Sequence, residues 1–137
     1  MRIAVCSHDR EERHLISRLT DEILLLQGKI PKISLFPIVH ELLETTVGQT
    51  EPFDLIFLSG HRDENLLSRL CRHAPVILIG DQTLMPTAFD VGAAYFIESP
   101  VDNTKLTRAV EHFTRQQKKR DPYLPGSGWD ENLETMQ

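Results

Sequence analysis

Residues 52–81 read PFDLIFLSGHRDENLLSRLCRHAPVILIGD. Two continuous apolar runs, 55–58 (LIFL) and 76–79 (VILI), bracket a polar stretch with helical spacing. A strand with one wet face alternates apolar and polar residues. A strand covered by helices on both faces is apolar throughout, as these two runs are. Between them Asp63 is placed to cap a helix that carries Leu66, Leu67, Leu70 and Cys71 on one side. Strand, helix and strand in this order imply a right-handed crossover between two parallel neighbours.

The same alternation continues in both directions. Toward the N-terminus, residues 2–6 (RIAVC) form a short apolar run suited to a central strand. Asp9 opens a helix, with Glu12 three residues on as the second half of a capping box. Leu15, Leu19, Ile23 and Leu26 supply its expected buried stripe, and Gly28 stops it. A weaker strand is expected over 33–36, between Pro31 and Pro37, and a short helix over 39–46. Toward the C-terminus, Gly80 ends the fourth strand, and a short helix over 87–91 tolerates Pro86 in its first turn. A fifth strand is expected over 94–97. Asp102 then caps a last helix with Leu106, Val110 and Phe113 on one face. Five strand–helix repeats predict an α/β fold, a doubly wound parallel (βα)5 sheet of flavodoxin-like order 2-1-3-4-5. The domain is expected to span 1–115. From Gln116 the composition loses its apolar period, so 116–137 reads as linker or tail, with Trp129 a candidate to dock on the domain or a partner.

Composition narrows the function. The 137 residues are 40% hydrophobic and 26% charged, ordinary for one globular domain with its own core. A net charge of -5 argues against nucleic-acid binding by this segment, because phosphate contacts need a basic surface. No apolar stretch reaches the length of a membrane span, and the acidic turn after MRIAVC is unlike a signal peptide. Two isolated cysteines, Cys6 and Cys71, fit a reducing cytoplasm better than a disulfide framework.

Three segments, PFDLIFLSG (52–60), PVILIGD (75–81) and AFDVGAAYFIESPVDNTKL (88–106), resemble the receiver domain of bacterial response regulators. The last is similar to receivers that precede LytTR-type DNA-binding domains. The resemblance covers residues 1 to about 113, and what it implies for the site is mostly loss. Receivers hold Mg²⁺ with paired acids after the first strand, where Ser7 and His8 stand here, with only Asp9 acidic beside them. Ser59 occupies the place of the phosphoacceptor Asp. Gly80 replaces a phosphate-binding Ser or Thr, and Ser99 replaces the Lys before proline. Without nucleophile, metal ligands and cation, the family's route to an acyl phosphate is closed. Phe96 matches the family's switch aromatic, and Pro100 matches a proline that follows a cis peptide. The fourth helix, fifth strand and fifth helix form the family's docking face, on which Ala93 and Arg108 are interface candidates.

Other sites compete on residue type alone. Cys6 ends a strand as a phosphatase nucleophile does, but the following SHDRE offers no glycine-rich phosphate cradle and carries two acids. It reads as a small buried hydrophobe. His8, Asp9 and His61 are candidate transition-metal ligands, against the plainer reading of solvated loop histidines. Lys118, Lys119 and Arg120 read as a solvated helix end, and no glycine-rich turn suits a dinucleotide.

The reading reached from sequence is a pseudo-receiver: not an enzyme, without cofactor, cytoplasmic, and working through a protein partner or a homodimer. The expected context is the input domain of a bacterial transcriptional regulator. Alternatives are a stand-alone adaptor, the receiver of a sigma-54-dependent activator, or a small-ligand or metal sensor built on the His8/His61 rim.

Overall fold

The computed structural model describes residues 1–120. Five strands, β1 (Arg2–Cys6), β2 (Lys32–Phe36), β3 (Leu55–Ser59), β4 (Val76–Gly80) and β5 (Tyr95–Glu98), alternate with five helices. The helices are α1 (Arg10–Leu26), α2 (Val39–Gly48), α3 (Glu64–His73), α4 (Met85–Val91) and α5 (Asn103–Arg120). All strand pairs are parallel, in the order β2-β1-β3-β4-β5 expected from sequence.

The sheet divides the core in two because successive side chains point to opposite faces. Ile3, Val5, Leu55, Phe57, Ile77, Ile79 and Ile97 pack with α1 and α5. Ala4, Cys6, Ile56, Leu58, Val76 and Leu78 pack with α2, α3 and α4. Both faces of β3 are therefore buried, which explains the unbroken LIFL. Edge strand β2 has Lys32, Ser34 and Leu35 exposed, which is why its sequence signal is weak.

Several local expectations need correction. The buried face of α1 is Ile16, Leu19, Thr20, Ile23 and Leu24, while Leu26 is 90% exposed. Leu26 lies roughly 90° round the helix from the centre of that face, so the buried stripe is slightly rotated from 15-19-23-26. The Asp9 carboxylate caps α1, accepting from the N–H groups of Glu11 and Glu12. The expected return bond from Glu12 to the Asp9 N–H is not made; Ser7 accepts from that N–H instead, at 3.2 Å. Helix α4 starts earlier than expected, at Met85, led in by a 3-10 turn over Gln82–Leu84 that Asp81 caps. Helix α5 continues past Gln116 to Arg120, since Gln, Lys and Arg propagate a helix without an apolar stripe. Trp129 and its expected docking lie outside the described residues. The Ser99–Pro100 peptide is cis, as the resemblance implies.

Candidate functional site

In a parallel sheet of this topology the carboxyl ends of the strands gather on one rim, where loops can carry chemistry. Ser7, Ser59, Gly80 and Ser99 end or follow four adjacent strands there. Register supports the grouping: Ser59 pairs with Ile79, and Gly80 with Glu98.

Ser7 is buried, and its neighbours occupy it fully. Its hydroxyl donates to Glu12 Oε1 at 2.7 Å and accepts from the Asp9 N–H. Its carbonyl accepts from the Arg13 guanidinium at 2.7 Å, and its N–H donates to Phe36 O. Asp9 thus caps the start of α1, and Glu12 is engaged by the Ser7 hydroxyl. His8 is solvent-exposed beside them. The trio His8, Asp9 and His61 forms no ligand set. Among the described residues no three His, Cys, Asp or Glu side chains gather closely enough to hold a metal ion.

Beneath this loop, Cys6 is buried, and desolvation pushes its thiol up to about 11, against a smaller opposing pull from Arg13. A thiol so poised stays protonated and is a poor nucleophile. This agrees with its reading as a packed hydrophobe.

Ser59 ends β3 and is 8% exposed. Gly60 follows with φ +81°, a left-handed turn that favours glycine, and its N–H donates to Ile79 O at 3.0 Å. His61 comes next, half-buried, with its pKa lowered first by desolvation and then by His8 and His40. Three histidines, one after each of β2, β1 and β3, therefore share this side of the rim, and burial and the other two disfavour the charged form of His61.

On the other side, a side chain at Gly80 would require Leu84 to move. A Cβ built there would lie 2.5 Å from Leu84 Cδ2. Leu84, from the 3-10 turn, is almost fully buried and occupies the space that a hydroxyl-bearing residue would need. Sequence reasoning saw the missing hydroxyl and missed the leucine that fills its place. The loops flanking this point are joined: Arg62 donates to Asp81 Oδ2 at 2.7 Å and to Thr83 Oγ1 at 3.0 Å. Hydrogen bonds from Thr83 and Arg62 hold the Asp81 carboxyl below its usual range. Ser99 donates its N–H to Gly80 O at 2.8 Å. The cation near the fifth-strand loop is Lys105, whose ammonium donates to the carbonyls of Glu98 and Pro100, both at 3.0 Å.

Phe96 is half-buried and packs against the α2–α4 side of the core. Arg108 and Pro100 are exposed. Ala93 lies at the opposite, amino end of the sheet, where it lines an open groove of about 790 Å³ with Cys71, His73, His112 and Gln116. On α4 the residue that sequence reasoning missed is Phe89, 81% exposed. The signal was available, because Leu84, Ala88 and Val91 form the buried side and Phe89 falls outside it.

No protein-family model matches the chain, and no curated protein matches it. Solved structures do. A response regulator receiver domain protein from Clostridium thermocellum superposes with TM-score 0.64 at 17% identity, over 85% of this chain and 96% of that one. A response regulator receiver protein from Pseudoalteromonas atlantica gives 0.65 at 19%, over 85% and 99%. A pilus assembly protein, CpaE, from Caulobacter crescentus gives 0.62 at 14%, over 80% and 96%. The fold is that of response-regulator receiver domains. No helix among the described residues is long and apolar enough to cross a membrane.

Proposed function

We propose that this chain is a pseudo-receiver: a regulatory domain that works without phosphorylation, by binding a protein partner. The observation that carries the reading is the packing of the rim. The Ser7 hydroxyl is bound to Glu12, Leu84 fills the space at Gly80, and Lys105 is engaged by loop carbonyls. Phosphoryl transfer depends on a positioned metal and cations that neutralise developing charge. Ser7, at a metal-ligand position, and Lys105, the cation near the fifth-strand loop, are both already engaged by neighbours. With no phosphate trigger, binding energy must set the state of the domain.

The docking face is α4, β5 and α5, which carry the exposed Met85, Phe89 and Arg108. An exposed aromatic on a short helix is a typical anchor for a partner. The partner that suits the domain best is the output half of a bacterial transcriptional regulator, with a second copy on the same face as the alternative. A stand-alone assembly adaptor is a second reading, favoured by the likeness to a pilus assembly protein. Incubation with acetyl phosphate and Mg²⁺ tests the central reading, with intact mass expected to stay unchanged. A mass gain of one phosphoryl group on Ser59 or a neighbouring acid would overturn it.

A further inference from the structure

Six of the eight large hydrophobic residues exposed among the described residues fall between positions 25 and 47: Leu25, Leu26, Ile30, Leu35, Ile38 and Val47. That segment comprises the end of α1, the edge strand β2 and helix α2. We infer that the free edge of β2 pairs antiparallel with β2 of a second copy, joining two sheets into one about a dyad at Ser34.

The hydrogen-bonding pattern of β2 gives the register. Lys32 N–H donates to Met1 O, and Phe36 O accepts from Ser7 N–H, so the even-numbered residues turn their main chain toward β1. By alternation, Ile33 and Leu35 present N–H and C=O to the open edge. An antiparallel partner in which Ile33 faces Leu35 and Leu35 faces Ile33 satisfies all four groups on each chain. Ser34 then faces Ser34 at the dyad, as a two-fold isologous contact requires. The next outward-facing positions are Pro31 and Pro37, which have no N–H and cannot lengthen the ladder. The edge therefore suits a closed pair and not a growing array.

Side chains agree with that register. Leu35 pairs with Val5 and Ile33 with Ile3 in β1, so both lie on the α1–α5 side of the sheet. Across the dyad they meet as apolar cross-strand pairs. Charge is complementary as well. Lys32 of one copy is brought to the Phe36 end of the other, where α2 rises with Glu41 in its first turn. The surface is separate from α4, so a pair formed here leaves the docking face open for a different partner.

Sedimentation equilibrium of the full chain tests the inference, with Ser34→Lys and Phe89→Glu as paired variants. Wild type and Phe89→Glu are expected to sediment at twice the chain mass. Ser34→Lys sets like charges face to face at the dyad and is expected to give the monomer with an unchanged circular dichroism spectrum. In a Cys71→Ser background, Ser34→Cys is expected to cross-link as a dimer under copper-phenanthroline and dioxygen. Facing residues at a non-hydrogen-bonded position are about 4.5 Å apart at Cα, within disulfide reach. Lys32→Cys, displaced roughly 13 Å along the strand from its own copy, should not cross-link. A wild type that stays monomeric, a dimer that survives Ser34→Lys, or one lost only with Phe89→Glu overturns the inference. None of these results bears on phosphodonor inertness, so the pseudo-receiver reading stands or falls separately.

Discussion

Gly80 and Leu84 exclude each other's alternatives: a Cβ on Gly80 would stand 2.5 Å from Leu84 Cδ2, and the leucine has almost no exposed surface into which to retreat. Gly80→Ser should therefore destabilise the fold by about 1–3 kcal/mol through overpacking. Leu84→Ala alone should cost about 2–5 kcal/mol as a core truncation. The double variant should cost less than the two together, because the cavity of one accepts the side chain of the other. Urea unfolding of the four proteins measures this coupling, and strict additivity would show that the two positions do not compete.

The Arg62–Asp81 pair joins the loops after β3 and β4 at the surface, with both side chains more than half exposed. Exposed pairs of this kind contribute little to stability and weaken with salt. Its clearer signature is titration. The Asp81 pKa is depressed in the folded chain, so its contribution is present above about pH 3.9 and lost as pH falls through the lower folded value. Arg62→Ala should raise the Asp81 pKa, read by carboxyl NMR, while leaving the melting temperature nearly unchanged. An Asp81 titration indifferent to Arg62 would remove the pair from this role.

His61 acts in the opposite charge sense but over a higher pH window. Its folded pKa lies below 6.5, so the unfolded chain binds the proton more readily. Stability should fall as pH drops through about 6.5, and level off once the folded value is reached. His61→Asn should flatten this limb, and His8→Ala should reduce it, since His8 is one of the charges opposing protonation. Thermal unfolding from pH 7.5 to 5 provides the measurement.

Most of the fold was legible in residues 52–81, because burial on both faces leaves β3 and β4 no polar residue until Ser59 and Gly80. Asp9, Asp63 and Asp102 were legible as caps, since a short acid before an apolar period has few other uses. The edges were harder. β2 is exposed or half-buried throughout, and the buried stripe of α1 keeps Leu19 and Ile23 but is rotated away from Leu26. At the site, the missing groups could be read by position, but what replaced them could not. Glu12 reaching Ser7, Leu84 covering Gly80 and Arg62 spanning two loops each depend on distances that no spacing rule gives.

Restoring single groups should not restore chemistry. Ser59→Asp supplies a phosphoryl acceptor but neither metal nor cation, and should take up no phosphate from acetyl phosphate. Adding Ser7→Asp sets a carboxylate against Glu12, which now accepts the Ser7 hydroxyl at 2.7 Å. Ser7→Asp, His8→Asp and Ser59→Asp combined should therefore melt below wild type and recover in part with Mg²⁺. Partial phosphorylation is expected only when Ser99→Lys is added, and Leu84 must still be shortened before Gly80→Ser can contribute. Uptake by Ser59→Asp alone would show that the rim retains catalytic groups.

The most direct measurement is an amide NMR titration of the wild-type chain with beryllofluoride and Mg²⁺, a stable mimic of the phosphorylated state. A pseudo-receiver predicts no shift at Ser59, Gly60, Gly80 or Phe96, and no broadening along α4. Saturable, Mg²⁺-dependent shifts at those residues would contradict it and identify a working phosphorylation switch.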